Sequence, residues 1–179
     1  MAYKRNPQMQ VQNSLNRARG KKFEQAIDNS LLIYQQQGFA SIEKTPEPMR
    51  VLENLGMGKF LAIFTKKAQP DYEGTVKGGR SVKFEAKYTS TDRMTQSVVR
   101  GHQTEHLEIH HKLGAHCFVV IGFSSGNVYR LPWEVWRDMK IHFGRKYVKE
   151  DDLQKYRVAV GTTGNLLLLG KTGRSNNNE

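Results

Sequence analysis

The chain has 179 residues, with 28 Lys and Arg against 17 Asp and Glu, a formal net charge of +11. That length suits one domain, and the cationic excess directs attention to a polyanionic partner, nucleic acid or an acidic membrane surface. A single cysteine, Cys117, excludes internal disulfides and cysteine-based zinc sites, and no apolar run reaches the roughly 20 residues of a membrane span.

The N-terminus lacks the apolar core of a secretory signal, so a cytoplasmic protein is expected. Residues 1–22 contain Lys4, Arg5, Arg17, Arg19, Lys21 and Lys22 and no acid, the pattern of a flexible basic arm over 1–19. A domain follows over 20–170, and 171–179 is disordered by composition. Phe23, Ala26, Ile27, Leu31 and Tyr34 recur at helical spacing, and Gly38 supplies a stop, which predicts a helix over 20–37. Glu24 sits at the border of that stripe, either facing a cleft or serving as a first-turn acid favoured by the helix dipole.

Residues 39–44 read as a strand, broken by Thr45-Pro46-Glu47-Pro48. Residues 49–58 fit no single pattern, and 59–65 read as a buried strand. Residues 71–76 lead into a Gly78-Gly79 turn, and 81–88 alternate with Val82, Phe84, Ala86 and Tyr88 on one face. Period two then places Glu85 and Lys87 together on the other face. A helix over 101–113, a buried strand over 116–123 and a hairpin back through 128–131 follow. A Pro-led helix over 132–140, a short helix over 150–155 and a last hairpin joining 156–160 to 166–169 complete the reading.

Asp71, Glu85 and Lys87 combine two hard-oxygen carboxylates with an ammonium on neighbouring strands. Such a set suits phosphodiester hydrolysis, with the acids holding Mg²⁺ and the lysine orienting water or neutralising developing charge. Pro70-Asp71 followed by Glu85-Ala86-Lys87 resembles the PD-(D/E)XK nuclease motif. The wider series is similar to RecU-type Holliday junction resolvases in order and approximate spacing. It comprises Arg19-Gly20-Lys21-Lys22-Phe23-Glu24, Lys44-Thr45-Pro46-Glu47-Pro48, Asp71-Tyr72-Glu73-Gly74, Phe84-Glu85-Ala86-Lys87 and His102-Gln103-Thr104-Glu105-His106, and the similarity spans about 19–130.

The resemblance implies an α/β fold with a restriction-endonuclease-like core, a mixed central sheet flanked by helices. It further implies a homodimer, dependence on Mg²⁺ with Mn²⁺ as substitute, and paired nicks across a four-way DNA junction, with no membrane and no nucleotide cofactor. It assigns Asp71 and Glu85 to the metal, Lys87 to catalysis, and Glu24 and Gln103 to the same site. Residues 46–67 correspond to a projecting stalk. Expected phosphate contacts are Arg17, Arg19, Lys21, Lys22, Lys66, Lys67, Lys77, Arg80, Arg93, Arg100 and His102. Glu73 stands where relatives more often carry Asn, the stalk is short, and the part beyond Arg130 matches poorly, departures that suggest a divergent, phage-encoded member.

Two other readings fit the residues: a related metal-dependent nuclease for other DNA, and a junction-binding protein with a vestigial site. His102-Gln103-Thr104-Glu105-His106 formally matches the H-x-x-E-H zinc pattern. The charge favours DNA, and the helix reads as a polar or DNA-facing one. The glycines before Lys171-Thr172 are misspaced for a P-loop, and Trp133 and Trp136 read as core or dimer contacts.

Overall fold

Alternation along the strands decides which layer each residue enters. The computed structural model describes residues 7–46, 48–64 and 70–169. Its elements are α1 (Pro7–Gln36), β1 (Ala40–Lys44), β2 (Met49–Gly56), β3 (Lys59–Phe64), β4 (Tyr72–Val76), β5 (Ser81–Thr89), β6 (Arg93–Thr95), α2 (Gly101–Lys112), β7 (His116–Phe123), β8 (Val128–Pro132), α3 (Trp133–Arg137), α4 (Met139–Phe143), β9 (Tyr147–Lys149) and a closing 3-10 helix (Glu150–Tyr156). Five strands form the central sheet in the order β1-β4-β5-β7-β8. It is mixed, because β5 and β7 pair in parallel across the α2 crossover while the other neighbours are antiparallel.

Helices cover both faces, as the α/β reading expected. On one face Phe23, Ile27, Leu31 and Tyr34 of α1 pack on Val82, Phe84, Phe118 and Val120. On the other, Leu107 of α2 and Trp133, Trp136 and Met139 pack on Cys117, Val119, Ile121 and Leu131. Both tryptophans therefore belong to the core. Trp133 meets its indole requirement by donating to Glu108 Oε2 at 2.8 Å. Burial pushes the Cys117 thiol up to about 11. Two close approaches need glycine. A Cβ on Gly74 would lie 2.0 Å from the carbonyl oxygen of Ser41, and one on Gly122 would lie 2.7 Å from the Phe23 ring.

Several expectations are corrected. The helix begins at Pro7 rather than near residue 20, so residues 7–19, expected as a flexible arm, are its first turns. Residues 8–19 are exposed apart from a half-buried Asn16, so no apolar stripe marks them. Gln, Arg, Lys, Met and Leu are nonetheless good helix formers, and Pro7 suits the first helical position. Ala26, placed in the buried stripe, is exposed.

The strand expected to be buried over 59–65 is instead half of an exposed hairpin, β2 paired with β3. Its two-residue turn, Met57-Gly58, has φ values of 50° and 73°, the double positive φ of a type I′ turn. Neither core cluster includes a residue of this hairpin, so its apolar run faces outward: Met49, Val51, Leu52, Leu55, Met57, Phe60, Leu61 and Ile63 are all exposed.

The helix expected over 132–140 is divided at Asp138 into α3 and α4. The last expected hairpin reduces to one bridge, Val160 to Leu166, because residue 157 instead bridges to Tyr129 beside β8. The small β6–β9 pair has no counterpart in the sequence reading; three residues are too few to show a period. Among the described residues no helix is long and apolar enough to cross a membrane.

Candidate active site

β4 pairs antiparallel with β5, with Tyr72 opposite Phe84, which sets Asp71 beside Glu85 and Lys87. Alternation points Phe84 into the α1 core and sends Glu85 to the α2 side. Lys87 Nζ lies 2.9 Å from Asp71 Oδ2 and 2.6 Å from Glu85 Oε2. The Ala86 backbone N–H also donates to Asp71 Oδ2, at 3.0 Å. Glu85 is fully buried, and its Oε2 accepts a further 2.7 Å hydrogen bond from Gln103 Nε2. Gln103 is itself fixed, since its Oε1 accepts the Arg100 backbone N–H at 3.1 Å and caps α2.

The charges are set by burial against proximity. Burial and the Asp71 carboxylate push Glu85 up to about 8, against the pull of Lys87. Burial also works against ionised Asp71. The Lys87 ammonium beside it and the Ala86 N–H outweigh that cost and hold Asp71 below the usual carboxylate range. For Lys87, burial disfavours the ammonium, but Glu85 and Asp71 overcompensate and raise its pKa. The centre thus holds a charged lysine, a charged Asp71 and a Glu85 that retains its proton near neutrality.

Glu85 Oε1 is buried with no hydrogen-bond partner. With Asp71 it forms a pair of hard-oxygen donors, the set a divalent cation takes when water and substrate phosphate complete its shell. Among the described residues no three His, Cys, Asp or Glu gather around one point, so Glu24 does not join the pair. The same holds for the H-x-x-E-H residues; the rings of His106 and His110 lie tilted by 34° with centroids 5.5 Å apart.

Glu24 is instead bound by Lys44 of β1, at 2.5 Å. It shares an open cleft of about 350 Å³ with Lys87, between α1 and the end of β5. Asp28, one turn along α1, accepts the Tyr72 hydroxyl at 2.8 Å. The sequence reading missed Lys44 and Asp28 in this surround; the i, i+4 spacing of Glu24 and Asp28 on one helix face was the available signal.

The expected phosphate contacts divide by location. Arg17, Arg19, Lys21 and Lys22 are exposed on α1, around Asn16 and Gly20, which line the cleft. Arg100 starts α2 next to Gln103, and His102 is partly exposed beside it. Arg93 stands over Tyr147, 5.3 Å from the ring centroid. Lys77 and Arg80 lie at the β4–β5 turn, the far end of β5 from Lys87, and Arg80 donates to the Gly114 carbonyl. At about 3.4 Å per residue that end is some 20 Å from the carboxylates, so these two are not brought to the centre. Lys66 and Lys67 lie outside the described residues.

The family model of Recombination protein U (RecU) matches residues 18–169. The chain belongs to the RecU family. It is 32% identical over 167 residues to the Holliday junction resolvase RecU of Bacillus pumilus, covering 87% of this chain and 76% of that protein. It is 34% identical over 121 residues to the Holliday junction resolvase RecU of Streptococcus sanguinis, covering 64% of this chain and 60% of that one. Among solved structures, a likeness is found to Archaeoglobus fulgidus Hjc, a Holliday junction resolvase, at 14% identity and a TM-score of 0.45 over 83% of this chain and 97% of that one. RecU membership implies a divalent metal cofactor in general terms, which the two-carboxylate donor set fits.

Proposed function

We propose that the chain is a Mg²⁺-dependent endonuclease that resolves four-way DNA junctions, acting as a homodimer that places paired nicks. The observation that carries the reading is the convergence of Lys87 and Gln103 on the buried Glu85 carboxylate, with Lys87 bonded to Asp71 as well, in a chain of +11 net charge. Family membership supplies the substrate class: both RecU relatives carry the name Holliday junction resolvase.

Asp71 and Glu85 would hold the cation. When bound, it polarises a phosphate oxygen and lowers the pKa of the attacking water. The residues of the chain do the rest. Loss of the Glu85 proton readies the site for a cation. Gln103 holds Glu85 in one orientation. Lys87 has three N–H donors and spends two on carboxylates, which leaves one to orient water or a phosphate oxygen where negative charge develops. Glu24 borders the cleft without touching the carboxylate pair, and its ion pair with Lys44 of β1 acts on the positioning of α1. Exposed Arg17, Arg19, Lys21, Lys22, Arg93 and Arg100 meet backbone phosphates, a sequence-independent and salt-sensitive mode of binding. Two copies related by a two-fold axis would present two such centres to a roughly two-fold junction, so coordinated cuts follow from symmetry. The exposed β2–β3 hairpin serves as the stalk that enters the junction centre.

The test is cleavage of a labelled synthetic junction in Mg²⁺, Mn²⁺ or EDTA by wild type and by Glu85→Ala and Lys87→Ala. Metal-dependent nicking lost in both variants is expected. Tight junction binding without any cut by wild type would overturn the reading in favour of an architectural role.

A further inference from the structure

A second group of cations lies on the sheet face opposite Glu85, where the catalytic centre makes no use of it. Arg130 alternates on β8 with Tyr129 and Leu131, which enter the α2-side core, so its own side chain turns to the α1 side. Its guanidinium stands 4.5 Å from the Phe118 ring centroid, and Nη2 contacts His116 Nε2. Its Nε is buried with no hydrogen-bond partner. Among the described residues no carboxylate comes within ion-pair distance of Arg130. His116 is no counter-ion: burial, then the charges of Arg130 and Arg80, bring it down to about 4, so the ring is neutral. Glu134 acts on Arg130 only from beyond ion-pair distance, and a partly buried guanidinium with an idle N–H and no ion-pair partner is costly unless an anion completes it.

The space in front of Arg130 is an open cleft of about 350 Å³, bordered by Lys155, Tyr156, Arg157, Val158 and Leu168 and by no acidic side chain. Lys155 and Arg157 are exposed at its rim. Lys155 Nζ lies over the Tyr156 ring at 4.9 Å, and Arg157 Nη2 donates to Asn127 Oδ1 at 2.5 Å, so neither cation is neutralised there by a carboxylate. Glu150, which feels the charge of Arg157, is already engaged by Ser125, Asn127 and Tyr129.

We propose that this cleft binds a phosphate group, with Arg130 as its buried anchor and Lys155 and Arg157 as rim contacts. A guanidinium fork offers planar paired donors that match phosphate oxygens, and the two rim cations add charge without fixing orientation. The phosphate is either a free ion or part of a DNA backbone led to this face. The site stands independently of the nuclease reading, because it is on the other side of the sheet and none of its groups touches Asp71, Glu85 or Lys87.

The experiment is thermal unfolding of the full chain in inorganic phosphate, with ionic strength held constant by chloride. Phosphate is expected to raise the midpoint where chloride does not, and Glu85→Gln should keep that protection. The double variant Lys155→Gln/Arg157→Gln, and separately Arg130→Lys, should weaken the apparent phosphate affinity tenfold or more while junction cleavage by the double variant persists. The salt dependence of DNA binding then separates the sources. A logarithmic slope reduced by about one to two in the double variant assigns the phosphate to DNA backbone, and an unchanged slope with lost phosphate protection assigns it to the free ion; either keeps the site. Equal protection by chloride, or phosphate protection unchanged in both the double and Arg130→Lys variants, would overturn it.

Discussion

The side-chain amide of Gln103 donates a 2.7 Å hydrogen bond to the buried Oε2 of Glu85, while its own oxygen accepts the Arg100 N–H that starts α2. The crossover helix thus holds the carboxylate on the strand before it. Once Glu85 has lost its proton to admit a cation, Gln103→Ala removes one bond to a charged group, worth roughly 1.5–3 kcal/mol, so cleavage should slow by about ten- to a hundredfold. The capping loss costs only about 1 kcal/mol of stability. Single-turnover cleavage and urea unfolding of the variant check both parts, and an unaltered cleavage rate would remove Gln103 from the site.

Glu85 carries a pH signature. Its folded pKa is about 8 against an ordinary 4.5, so between those values the unfolded chain binds fewer protons than the folded one. Without divalent cation, stability should therefore fall as pH rises from about 4.5 to 8 and level off above. Glu85→Gln should flatten the slope, and cleavage should rise towards pH 8 as the carboxylate is freed for a cation. Urea unfolding of both proteins across this range is the check; parallel curves would contradict the assignment.

Gly74 ties the site to the sheet edge. It sits on β4 opposite Ile42, and an added Cβ would meet Ser41 O at 2.0 Å and Ile42 Cα at 2.5 Å. Backbone atoms cannot rotate away as a flexible side chain can. Gly74→Ala should cost at least about 3 kcal/mol, read as a large drop in thermal midpoint or in soluble yield. A midpoint equal to wild type would show that β1 moves freely.

The hairpin of β2 and β3 contributes to neither core cluster. Replacing residues 49–64 by a short polar turn should leave stability within about 1 kcal/mol, while preference for junctions over linear duplex declines. Calorimetry and competition binding report the two separately. A collapsed midpoint would mean that the hairpin supports the fold.

The catalytic strand was legible because period two is unambiguous where four apolar residues alternate with Lys83, Glu85 and Lys87. Asp71 followed from its place ahead of the Gly78-Gly79 turn. Gln103 came only from resemblance: nothing in a polar helix shows which residue looks inward, and its burial depends on the parallel β5–β7 crossover, a long-range fact. The start of α1 was hidden for the opposite reason. Its first turns contact no core, so helix propensity acts there without an apolar stripe. The β3 strand misled, because Phe60-Leu61-Ala62-Ile63 has the composition of a buried strand and lies on a hairpin outside both cores.

The most direct test of the central claim compares a four-way junction with a matched linear duplex, both end-labelled on every strand, in Mg²⁺. The expected result is symmetric nicks in two strands of like polarity near the branch point, absent in Glu85→Ala, with the duplex left largely intact. Equal cutting of the linear duplex, or unpaired nicks scattered along the arms, would contradict junction resolution and leave a less selective nuclease.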